Sequence, residues 1–128
     1  MLTIIFAILI YIIAKPNYLC SGCNISTEQE TAISIATAKN AALIIFRDIG
    51  YIPSSRDSLN IIYENINNDK NWRGPYLLRK GATVDAWGQE LVYKYPNSCN
   101  PMDNGYAIYS IGNNGVDECM SGDDVYEW

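Results

Sequence analysis

The chain has 128 residues, 48% of them hydrophobic, which suits one domain with one modest core. Ten tyrosines and three tryptophans argue against a disordered chain. The net charge of -5 is local: no Lys or Arg follows Lys94, whereas Asp103, Asp117, Glu118, Asp123, Asp124 and Glu127 do, the opposite sign from a nucleic-acid footprint.

Residues 1–19 carry an apolar run from Leu2 to Ala14, shorter than the roughly 20 residues of a standard membrane span. It reads as a short membrane anchor with Tyr18 and Leu19 at the interface, or as the hydrophobic stretch of a signal peptide. No Lys or Arg precedes it, which favours the anchor. Either reading takes the rest of the chain out of the cytoplasm. Residues 20–26 form a linker in which Cys20 and Cys23 make a CxxC, and Cys99 and Cys119 lie in the acidic half. The second pair lacks the close spacing of a zinc ribbon, and the chain has no His. A catalytic redox CxxC opens a helix in a thioredoxin-like unit, not a membrane-proximal linker. Disulfides in an oxidising compartment are the simpler account of all four.

A globular domain is expected over 27–128. Its start is marked by a capping box, Ser26 with Gln29 or Thr27 with Glu30, and Gly50 supplies the stop. Between them Ile35, Ala38, Ala42, Ile45 and Ile49 fall on one helical face. Asn40, Arg47 and Asp48 take the other side together with Ile33 and Ile44. That second apolar pair fits a helix buried on more than one side of its own domain, or one that also packs against neighbouring subunits.

A Pro-Ser turn and a short helix capped by Asp57 or Ser58 follow. Gly-Pro, Lys-Gly and Trp-Gly steps then break the chain into loops and short extended pieces. Alternation over 90–95 predicts a strand, Asn104-Gly105 a turn, and "YAIYSI" a second strand. Tyr76, Leu77, Trp87, Leu91 and Tyr93 are expected to be substantially buried between helix and sheet. No His, Gly-x-Ser-x-Gly elbow or nucleotide loop is present, which argues against an enzyme. The nearest catalytic pattern is Asp85 with Glu90, near Trp87, as a carboxylate pair for glycoside hydrolysis.

"NWRGPYL", "DAWGQELVYKYP", "GYAIYSIGNNG" and "DDVYEW" follow one another in this order. Together they resemble the Trp-x-Gly-Pro-Tyr-Leu, Asp-Pro-Trp-Gly, Tyr-Ser-x-Gly-x-Asp-Gly and Asp-Ile-x-Asn-Trp motifs of type II secretion system protein G, the major pseudopilin. The likeness covers about residues 50 to 128. It implies an α+β, pilin-like fold: an N-terminal, membrane-anchored helical spine packed on a small antiparallel sheet, with a calcium-type loop at the C-terminal end. It further implies a structural subunit of a pilus-like assembly that supports protein export. The implied setting is the inner membrane, single-pass, with the globular domain in the periplasm. Implied partners are other pseudopilin subunits or secretion-system membrane proteins and the membrane itself, with no nucleic acid. Asp85 falls in a structural turn of the family pattern. A membrane-anchored periplasmic or surface binding module, with the same fold but no polymerisation, is the alternative. The first 19 residues lack the early glutamate of the family's long apolar helix, which keeps that alternative open.

The resemblance also implies calcium in the final loop. Asn114 stands where the family has Asp, Asp124 matches the acid of the closing pair, and Ile111 would offer its carbonyl. Asp117 and Asp123 join them as nearby oxygen donors, and calcium takes about six to eight oxygens. Asn114 removes one charge from that set. A Cys99–Cys119 disulfide would close a loop worth about 3 kcal/mol in the chain-entropy model and would tie the loop to the sheet. Val125 and Trp128 are expected to fold back as a hydrophobic lock.

Overall fold

The computed structural model describes residues 24–102 and 105–127. The N-terminal anchor, the CxxC of Cys20 and Cys23, the Asn104 half of the expected turn and Trp128 lie outside the described residues. Among the described residues no helix is long and apolar enough to cross a membrane.

One helix, α1 (Thr27–Ile49), organises the fold. Of the two possible capping boxes the chain uses Ser26 with Gln29: the hydroxyl accepts from the Gln29 N–H, and the Gln29 side chain accepts from the Ser26 N–H. At the other end Gly50 adopts φ 84°, a left-handed conformation that costs glycine nothing, and donates to the Phe46 carbonyl. The expected face is buried, and Thr31 and Ala41 join it.

Three short strands, β1 (Val92–Lys94), β2 (Ala107–Ser110) and β3 (Val125–Tyr126), form an antiparallel sheet in the order β1-β2-β3. Val92 pairs with Tyr109 and Lys94 with Ala107, while Ser110 pairs with Val125. The two expected strands are present but shorter than predicted. The third comes from the closing motif, where two residues carry no periodicity of their own.

The buried face of α1 serves two clusters. Ile35, Ala38 and Ala42 meet Leu91 and Ile108 below the sheet, with Tyr93, Tyr106 and Val125 packed at the edge. Ala41, Ile45 and Ile49 meet Ile61 and Ile62, which lie in the 3-10 turn Leu59–Ile62 capped by Ser58, with Trp72, Tyr76 and Leu77 beside them. Each fully buried aliphatic side chain contributes about 2 kcal/mol by removal from water.

The middle-motif residues are less enclosed than expected. Leu91 is buried, but Tyr76, Leu77, Trp87 and Tyr93 are half-buried. For the two tyrosines the reason is chemical: their hydroxyls hold polar partners at the surface of the core. Tyr93 Oη donates to the Pro53 carbonyl at 2.6 Å, and Tyr76 Oη to Asp48 at 3.0 Å.

Ile33 and Ile44 settle the question left by the helix pattern. They are 58% and 42% exposed, and with Leu43 they lie across the helix from its buried stripe. They are not part of the domain's own core.

Candidate cation site

The acidic loop leaves β2 through Ile111 and returns to β3 through Asp124. Gly112 makes the exit, with φ 63° and a position where a Cβ would collide with the Asp123 backbone carbonyl. The loop's two ends therefore lie against each other. Gln89 Nε2 donates to the Gly112 carbonyl at 2.7 Å and ties this exit to the Asp85 turn.

Asp85 is buried and fully engaged. Its Oδ1 accepts from the Trp87 and Gln89 N–H groups at 3.0 and 2.8 Å, and its Oδ2 accepts from Ser110 Oγ at 2.6 Å. Glu90, by contrast, is exposed. Asp85 is the brace of a turn, as the family pattern implied, and the two carboxylates do not form a matched pair around a shared pocket.

Two groups of side chains share the loop. In the first, Lys94 Nζ lies 2.7 Å from Asp117 Oδ2, and Tyr109 Oη donates to Asp117 Oδ1 at 2.8 Å. The Cys119 N–H donates to the same Oδ1 at 3.1 Å. Lys94 holds the Asp117 carboxyl below its usual range, against a smaller opposing push from burial. Burial works against the Lys94 charge, but its hydrogen bonds to Asp117 and Tyr109 more than offset this and raise its pKa. Beside this pair Cys99 and Cys119 are disulfide-bonded, with Cα atoms 5.1 Å apart. The expected tether between loop and sheet is present.

In the second group, Glu118, Asp123 and Asp124 each place one carboxylate oxygen within 4.8 Å of the others. Asn114 stands at its edge: its N–H donates to Asp123 Oδ2 at 2.9 Å, and its Nδ2 to Glu118 Oε2 at 3.3 Å. Asp124 is 7% exposed. Its Oδ2 accepts from the Glu118 and Met120 N–H groups at 3.1 and 2.8 Å, whereas its Oδ1 is buried with no hydrogen-bond partner among the described residues. Burial pushes the Asp124 carboxyl up, and the Asp117 and Glu118 charges add to the push.

Of the residues expected to hold a metal, Asn114, Asp123 and Asp124 are thus brought together, and Ile111 is half-buried at the mouth of the loop. Asp117 is not among them: both its oxygens are committed to Lys94, Tyr109 and the Cys119 amide. Glu118 takes its place, and sequence reasoning missed it. Adjacent acids at 117 and 118 look interchangeable in a sequence, and only the distant partner Lys94 separates their roles.

The donor set fits a hard cation such as calcium. Its members are oxygens, three of them carboxylates. A buried carboxylate oxygen without a partner is costly, and a cation would remove that cost. Val125 packs half-buried at the edge of the first core cluster, while Trp128, the other half of the expected lock, lies outside the described residues.

No curated protein matches the chain. The family model described as type II secretion system (T2SS), protein G matches residues 19–128. The match reaches further towards the N-terminus than the motif resemblance, across α1 as well as the sheet and the acidic loop. The chain belongs to the type II secretion system protein G family.

Proposed function

We propose that the chain is a pseudopilin subunit that builds a pilus-like fibre of a type II secretion system and so supports protein export. The observation that carries this reading is the two-sided helix. One face of α1 is consumed by the domain's own core, and the other presents Ile33, Leu43 and Ile44 to the outside. Exposed aliphatic side chains on a long helix are the kind of surface that packs against further helices. Family membership favours such packing over a binding module that does not polymerise. In this reading the chain is held in the inner membrane by residues 1–19, with domain 27–128 in the periplasm, and its neighbours are other pseudopilins or secretion-system membrane proteins. Its role is structural, not catalytic, in keeping with the commitment of Asp85 to a turn.

Calcium belongs to the same proposal. Asp123 and Asp124 would hold it, with the Ile111 carbonyl as a further donor and Asn114 at the edge of the group, and the ion would neutralise charges that otherwise repel. The consequence is mechanical: the loop that carries β3 stays closed against the sheet.

The test is fibre formation and secretion in cells that produce the full chain with its secretion system. Charged substitutions at Ile33 and Ile44 are expected to abolish both, with protein levels unchanged. Normal fibres and secretion from a double-charged variant would overturn the assembly reading.

A further inference from the structure

We propose that Glu118 is a direct ligand of the loop's cation, supplying a carboxylate that Asn114 cannot; this rests on the calcium reading above. Asn114 is poorly placed to serve as a principal donor. Its Oδ1 is taken at 2.6 Å by the Val116 N–H in a tight turn, and its Nδ2 is itself a donor, aimed at Glu118. Glu118 Oε2 accepts only long hydrogen bonds, 3.3 Å from Asn114 and 3.2 Å from the Asp123 N–H. Such weak bonds leave that oxygen available to a cation.

The backbone around Glu118 is held from every side. The preceding Asp117 is fixed by Lys94 and Tyr109, and the following Cys119 is bonded to Cys99. The Glu118 N–H donates to Asp124 Oδ2, and the Glu118 carbonyl accepts from Ser121 Oγ. Gly122 completes the cradle: with φ 59°, it lets the Glu118 carboxylate lie where any Cβ would collide with it. A long, flexible side chain is thereby delivered to one place.

A cluster of acids alone is common on protein surfaces and says little. The independent observation is Asp124, which is 7% exposed and has a buried Oδ1 without a hydrogen-bond partner among the described residues. One Asp124 oxygen lies within 4.8 Å of an oxygen from Glu118 and one from Asp123. Lys94, the lysine that reaches the loop beside the disulfide, is already paired with Asp117. A hard divalent cation with oxygen preference satisfies all three carboxylates at once.

Isothermal titration calorimetry of calcium into the full-length chain in detergent micelles tests this, with far-ultraviolet circular dichroism as the check on folding. Glu118→Gln is expected to weaken binding at least tenfold, and Asp117→Asn by far less. Glu118→Asp keeps the charge but withdraws it by one methylene, and an intermediate loss is expected. This variant decides the matter if the Gln variant fails to fold, because a role through charge alone would leave its affinity at the wild-type value. Wild-type affinity in Glu118→Gln, or in Glu118→Asp, would overturn the ligand assignment while leaving the calcium reading intact. A wild-type chain that takes up no calcium would overturn both.

Discussion

Lys94 on β1 reaches across to the acidic loop, where its ammonium lies 2.7 Å from Asp117 Oδ2 and 3.1 Å from the sulfur of Cys99. One side chain therefore braces the loop beside the disulfide. The pair is partly screened by solvent, at 20% and 39% side-chain exposure, so its worth is modest. A double-mutant cycle with Lys94→Met and Asp117→Asn should give a coupling energy of about 1 kcal/mol by urea unfolding. Strict additivity of the two substitutions would show that the contact contributes nothing.

Asp124 separates metal binding from apo stability. In Asp124→Asn the remaining carbonyl oxygen can still accept from the Glu118 and Met120 amides, while one carboxylate is gone from the crowded group. The apo variant should melt within a few degrees of wild type. Wild type should gain about 2.7 kcal/mol at calcium a hundredfold above its dissociation constant, and the variant almost none. Melts with calcium and with chelator measure both quantities. Equal calcium stabilisation of the two proteins would rule out Asp124 as a donor.

Two pairs of isoleucines on α1, one buried and one exposed, should behave oppositely. Ile45→Ala removes a fully buried side chain and is expected to cost about 3 kcal/mol. Ile35→Ala should behave in the same way, as it is also fully buried. Ile33→Glu and Ile44→Glu, at exposed positions, should change stability by no more than about 0.5 kcal/mol and act on assembly instead. Denaturant melts of the four variants supply the comparison, and a collapse of the Glu variants would return Ile33 and Ile44 to the domain's core.

Asp85 should prove a stability residue. Asp85→Ala leaves the Trp87 and Gln89 amides and the Ser110 hydroxyl without their acceptor, a loss of about 2–3 kcal/mol. A variant as stable as wild type would mean that water satisfies those donors equally well.

Tyr109 gives the fold an alkaline limit. Burial pushes its hydroxyl up to about 12, with opposing effects from Lys94 and Asp117, while the unfolded chain titrates near 10. The folded state therefore keeps the proton through a range in which the unfolded state loses it. This contribution is complete below pH 10 and falls as the pH rises towards 12, by about 1.4 kcal/mol per unit. Absorbance titration at 295 nm should show a high-pH step that is absent from Tyr109→Phe. A wild-type titration with every tyrosine near 10 would contradict this.

Helix α1 was legible in the sequence because its signals are local: a capping box, a repeat of apolar residues and a terminal glycine all lie within the element they define. The first strand was legible for a similar reason, through alternation over six residues, and the second through the Asn-Gly turn signal before it. The acidic loop and the family resemblance together raised the expectation of a cation site, and the motif order pointed to the family. Three features depended on partners far along the chain. The strand Val125–Tyr126 exists only because Tyr109 and Ser110 offer it an edge. The exposure of Ile33 and Ile44 follows from which side of α1 the sheet covers, since an apolar residue looks the same on either face. The division of labour between Asp117 and Glu118 is set by Lys94, more than twenty positions earlier, which binds one of two adjacent carboxylates and leaves the other to face Asp123 and Asp124. Local chemistry chooses the elements; which carboxylate meets a lysine and which meets its own kind is a matter of distance in space, and only the packed chain sets that.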